Sequence, residues 1–67
     1  MRAREQKWHT TTMRKVRETA AAYLLADPND GAEYWVPKSQ IDAIEPSGEG
    51  YVDVTMTEWI AKEKGLL

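Results

Sequence analysis

The 67-residue chain contains no cysteine, no phenylalanine and a single histidine, and it has no long apolar run. Without cysteine there are no disulfides, no thiolate metal sites and no cysteine nucleophiles, a pattern that fits a reducing compartment. No segment approaches the roughly 20 apolar residues of a membrane-spanning helix. The N-terminal stretch MRAREQKWHT is basic but lacks the apolar segment of a secretory signal. The expectation is a soluble, cytoplasmic protein that does not engage membranes.

Catalytic constellations are equally scarce. His9 stands beside Trp8 and three threonines, with nothing in the pattern to position it as a general base. It reads as a surface residue. Ser39 and Ser47 fall in turns and have no second histidine to activate them, which argues against a hydrolase triad. The stretch DPNDG (27–31) has the look of a calcium loop, but the spacing fails. Counted from Asp27, Gly31 takes position 5 and Lys38 position 12, where such a loop needs Asp or Asn and then Glu. No glycine-rich phosphate loop occurs. A non-enzymatic protein without cofactor or metal is expected.

What is present is a lopsided charge. Residues 1–17 carry six Lys/Arg against Glu5, leaving +5, while residues 18–67 carry three lysines against ten acids, leaving −7. A basic arm for phosphate, an acidic body for a basic partner, or an arm lying on its own acidic body would each produce this asymmetry. A chain this short hides only about 60% of the surface its unfolded form exposes. With no Phe, three Trp, three Tyr and the Leu, Ile and Val residues must build the core, so most aromatics are expected to be structural.

Two turn signals organise the chain. DPNDG suits a type I turn followed by a left-handed glycine, and it would pair AYLLAD (22–27) with AEYWVP (32–37) in a hairpin. PSGEG (46–50) is the second. YVDVTM (51–56) alternates cleanly and is the clearest strand. Residues 13–26 are ambiguous. Met13, Val16, Ala20, Tyr23 and Leu24 recur at helical spacing, yet the threonines and the hairpin signal favour two strands joined by a tight TAA connection. Pro37 should end pairing, with a short turn over 38–40 and re-entry at Ile41. A helix over 57–64 closes the chain, capped by Thr55 or Thr57, supported by Glu58 and Lys62, and stopped by Gly65. Trp59 and Ile60 are expected to dock it.

GAEYWVPKSQI is similar to the tail of Src-homology-3 domains, where a strand ends in an apolar-Pro pair before a 3₁₀ turn and a last strand. That resemblance implies a small barrel, with Pro37 in a groove for proline-rich peptides. The family's turn tyrosine falls on Gln40 here, and its early Ala-Leu-Tyr-Asp-Tyr segment does not occur. A broader pattern over residues 18–66, from ETAAAYLL through DGAEYWVPKSQI to VTMTEWIAKEKGL, resembles a group of small phage and prophage proteins. It tips residues 13–26 toward strands and implies a mobile-element setting. Proteins of this size in that setting are often inhibitors of, or accessories to, nucleic-acid machinery.

The resulting reading is mainly β: a small Src-homology-3-like or related five-stranded barrel or curled antiparallel sheet with a short C-terminal helix. An α+β fold with a helix over 13–26 is the alternative. Residues 1–9 form a basic arm and residues 10–67 one domain. The expected function is a non-enzymatic phage-type binding module acting on a protein partner through an acidic surface, in its sharpest form an anti-CRISPR-like inhibitor. Its candidate contacts are Trp35, Lys38, Gln40, Asp42, Glu45 and Asp53, with Lys38 the residue left free to face a partner. The alternative is a single-strand nucleic-acid-binding accessory protein using Arg2, Arg4, Lys7, Trp8, Arg14, Lys15 and Arg17. Oligomeric state stays open, because an edge strand can pair with its copy.

Overall fold

A computed structural model describes residues 7–67. The order is β1 (Trp8–Glu18), β2 (Ala22–Ala26), β3 (Glu33–Pro37), a 3₁₀ turn (Lys38–Gln40), β4 (Ile41–Gly48), β5 (Tyr51–Thr57) and α1 (Glu58–Glu63). Every pairing is antiparallel, and the strands lie in the order β3-β2-β1-β5-β4. Trp8 and His9, assigned to the arm on sequence, are the first residues of β1, where they oppose Thr57 and Met56.

The sheet is open, and the expected barrel is not formed. β3 and β4 are its two edges, yet only the three residues of the 3₁₀ turn separate them. A flat five-stranded sheet puts its edges about 19 Å apart, whereas four residue steps reach at most about 14 Å. The sheet therefore curls until Pro37 and Ile41 come close. Closure fails because β3 is short and ends in a proline without an N–H to donate. No ladder joins β3 to β4 among the described residues.

Residues 13–26 are strands, which removes the helical alternative. Thr19 makes the connection: its N–H donates to the Ala22 carbonyl at 2.8 Å, and its Oγ1 accepts from the Ala22 N–H at 3.1 Å. Pairing on both sides of β1 outweighs the helix propensity of the alanines. The β1–β2 register shifts between Lys15 and Arg17, leaving Val16 as the extra residue of a bulge.

The β2–β3 loop closes as its composition suggests. Asp27 donates its N–H to the Ala32 carbonyl and accepts the Gly31 N–H on its own carbonyl, both at 2.8 Å. Its Oδ1 takes the Asn29 N–H at 2.7 Å.

The core departs from expectation. Met13, Leu25, Val36, Val54, Met56, Ile60 and Ala61 are buried, with Tyr23, Tyr34, Ile41, Ile44, Val52 and Leu66 packed around them. All three tryptophans lie largely outside it: Trp8 is 48%, Trp35 43% and Trp59 61% exposed. Alternation explains Trp35, because Tyr34 and Val36 face inward on the same short strand. Ile60 and Ala61, not Trp59, dock α1. Slim methionines and aliphatics fill the narrow space inside the curl.

Thr57 is the helix cap. Its Oγ1 accepts the Ile60 N–H at 3.2 Å and donates to Gln40 Oε1 at 2.8 Å, tying the 3₁₀ turn to α1. At the other end Gly65 adopts φ 73°. Its N–H reaches the Lys62 carbonyl, and the Leu66 N–H reaches that of Ala61, a Schellman stop.

Candidate binding surface on the β4–β5 hairpin

Residues 41–57 contain Asp42, Glu45, Glu49 and Asp53 and no lysine or arginine. The hairpin arranges them on and around one face. Val54 and Met56 are buried and Val52 packs on the core, so Tyr51, Asp53 and Thr55 face outward. β1 matches that outward row residue by residue. Thr10 Oγ1 and Thr55 Oγ1 share a hydrogen bond of 2.9 Å, and Thr12 Oγ1 donates to Asp53 Oδ1 at 2.7 Å. The Arg14 guanidinium stands 5.7 Å from the centre of the Tyr51 ring.

On the other side of β5, Glu45 lies directly opposite Asp53. Asp42 falls at the register shift between Ile41 and Ala43, and Glu49 forms the turn. Asp42, Glu45 and Glu49 are exposed and Asp53 is half-buried. None of the four makes an ion pair among the described residues. Like charges placed opposite each other across a ladder repel, so the hairpin concentrates negative charge that no ion pair among the described residues offsets.

The remaining candidates do not join this cluster. Trp35 lies on β3, the opposite edge of the sheet. Lys38 is not free. Its Nζ pairs with Glu18 Oε2 and stands 4.9 Å from the centre of the Tyr23 ring. Lys15 joins the same cluster, 3.3 Å from Glu18 Oε1 and 5.6 Å from the Tyr23 ring centre. Hydrogen bonds from Lys38 and then Lys15 hold the Glu18 carboxyl below the ordinary carboxylate range. Gln40 is committed to Thr57.

Of the cationic candidates, Arg2 and Arg4 lie outside the described residues. The Lys7 carbonyl accepts the Glu58 N–H at 2.9 Å, fixing the start of β1 to α1. Trp8, Arg14 and Arg17 are exposed on β1, and Lys15, next to Arg14, points to the other face, where it pairs with Glu18. Sequence reasoning missed Glu18 as the anchor of two lysines. It also missed the Val16 bulge, for which the run RKVRE carries no signal.

Comparison with protein-family models, with curated proteins and with solved structures yields no match. Among the described residues no helix is long and apolar enough to cross a membrane.

Proposed function

We propose that the chain is a non-enzymatic binding module whose β4–β5 hairpin docks on a basic protein surface. The observation that carries this reading is the hairpin's charge: four carboxylates, no cation, and two of the acids face to face. A carboxylate field of this kind is maintained against the stability of the free fold and is relieved when a cationic partner arrives. Complementary charge also speeds encounter and suppresses wrong partners.

The chemistry of the partner follows from the shape and sign of the surface. A small, rigid, anionic hairpin fits a groove lined by Lys and Arg, the kind that otherwise holds a phosphate backbone. The resemblance to small phage proteins gives the sharpest form: an inhibitor that occupies the nucleic-acid groove of an RNA-guided defence effector. Its test is inhibition of DNA cleavage by a purified effector of that class. The wild-type chain should suppress cleavage. The triple reversal Asp42→Lys, Glu45→Lys, Asp53→Lys should not, while Glu63→Lys on α1 should behave as wild type. Equal suppression by the triple variant would rule out the acidic hairpin as the acting surface.

A further inference from the structure

Arg14 and Arg17 are three residues apart on β1, a spacing that sends side chains of a regular strand to opposite faces. The extra residue at Val16 cancels that alternation. Arg14 opposes Ala26 on β2 and Tyr51 on β5, while Arg17 opposes Leu24, which in turn opposes Trp35 on β3. The two arginines therefore share the outer face with Trp35 and Tyr51. The same bulge sends Lys15 and Glu18 together to the other face, where they pair. Bulges commonly re-aim a side chain beside a functional site, and this one sorts the charges of RKVRE into two groups.

What it presents outward is chemically specific. Arg14 and Arg17 are exposed and have no carboxylate partner among the described residues. Trp35 is 43% exposed and stands across Leu24 from Arg17, two strand spacings or about 10 Å between backbones. An open depression of about 380 Å³, lined by Arg14, Val16 and Ala26 together with the acidic Asp27 and Glu33 and the loop residues between them, adjoins this row.

We propose that this face binds a short single-stranded nucleic-acid segment. One base stacks on Trp35, Arg17 and Arg14 neutralise phosphates, and the depression gives a neighbouring base room. Stacking on an aromatic ring tolerates any base, and arginines beside it track the backbone, so binding is largely independent of sequence. Glu45 and Asp53 occupy the next outward row beyond Arg14 and Tyr51. Their charge on one side, and that of Glu33 across Ala26 from Arg14 on the other, leave the stretch from Arg14 through Arg17 to Trp35 as the path for the strand. The contacts proposed here, Trp35, Arg17 and Arg14, lie outside the acidic hairpin, so loss of the two arginines tests this site without altering the hairpin.

The test uses the variant Trp8→Phe/Trp59→Phe, which leaves Trp35 as the only tryptophan, titrated with a short oligothymidylate at low and moderate salt. Saturable quenching that weakens with salt is expected. Arg17→Ala should lower affinity several-fold and reduce the salt slope by about 0.7, and adding Arg14→Ala should repeat the effect. Arg17 is exposed and makes no ion pair among the described residues, so its replacement leaves the fold intact. Lys62→Ala/Lys64→Ala on the far helix should change nothing. Absent quenching, or quenching that survives loss of both arginines, overturns the proposal. So does equal quenching by an oligoglutamate, which would mark a general anion surface instead.

Discussion

Glu45 and Asp53 lie directly opposite one another on the antiparallel strands β4 and β5. Of the two, only Asp53 has a partner among the described residues, the Thr12 hydroxyl at 2.7 Å. A directly opposed pair of like charges costs a sheet roughly 0.2–1 kcal/mol relative to a neutral pair. Replacing Glu45 with threonine should therefore stabilise the fold by a few tenths of a kcal/mol or more. Urea unfolding at low salt should show this gain, and added salt should shrink it by screening the wild-type repulsion. If the acids serve binding, the more stable variant binds a basic partner less well.

The turn between those strands holds a second, separable cost. Glu49 and Gly50 both have positive φ, 54° and 86°, the pattern of a two-residue type I′ turn. A side chain in this region costs about 1 kcal/mol, less for Asn. Glu49→Asn or Glu49→Gly should raise the melting temperature by several degrees, whereas Glu49→Ala should bring no gain. A thermal melt followed by circular dichroism distinguishes these outcomes.

Thr57 links three parts of the fold through one buried hydroxyl, which caps α1 and donates to Gln40. Thr57→Val keeps the volume but removes the cap and leaves the Gln40 oxygen without this donor. The expected loss is about 2 kcal/mol, measured by urea unfolding, and Thr57→Ser should recover most of it. A valine variant as stable as wild type would mean that packing of Ile60 and Ala61 alone holds the helix.

Glu18 gives stability a pH dependence of known sign. Its carboxyl is held down by Lys38 and Lys15, so the folded protein binds a proton there less readily than the unfolded chain. The stabilisation is complete above the unfolded value of about 4.3 and is lost as pH falls through the lower folded value. Wild type should exceed Glu18→Gln in stability at neutral pH, and the gap should close in acid. A gap unchanged in acid would show that the ion pairs are not its source.

Much of the strand order was legible because the sequence carries its signals locally. DPNDG fixes the β2–β3 hairpin, YVDVTM alternates without interruption, and Pro37 followed by KSQ marks the 3₁₀ turn. The openness of the sheet was not legible, because it depends on how far the curl brings two distant edges together. Nor was the exposure of the tryptophans. Composition suggested that the largest side chains must be inside, but the space within the curl suits Met13 and Met56, and alternation turns Trp35 outward.

At the candidate surfaces, Glu45 and Asp53 could be grouped from the clean alternation of β5 and their nearness to the second turn, whereas Asp42 follows the 3₁₀ turn at the other end of β4. Lys38 looked free because its partner, Glu18, lies 20 residues away on another strand. The shared face of Arg14 and Arg17 depends on a single inserted residue, which a period-two reading of the strand cannot reveal.

The most direct test of the acidic hairpin is a map of backbone amide shifts in the isotope-labelled chain as a lysine-rich peptide is added. Shifts concentrated in residues 41–57, weakening with salt and lost in the Asp42→Lys/Glu45→Lys/Asp53→Lys variant, are predicted. Shifts centred on the β2–β3 loop acids or on α1, or a pattern unchanged by the triple reversal, would contradict the hairpin as the docking surface.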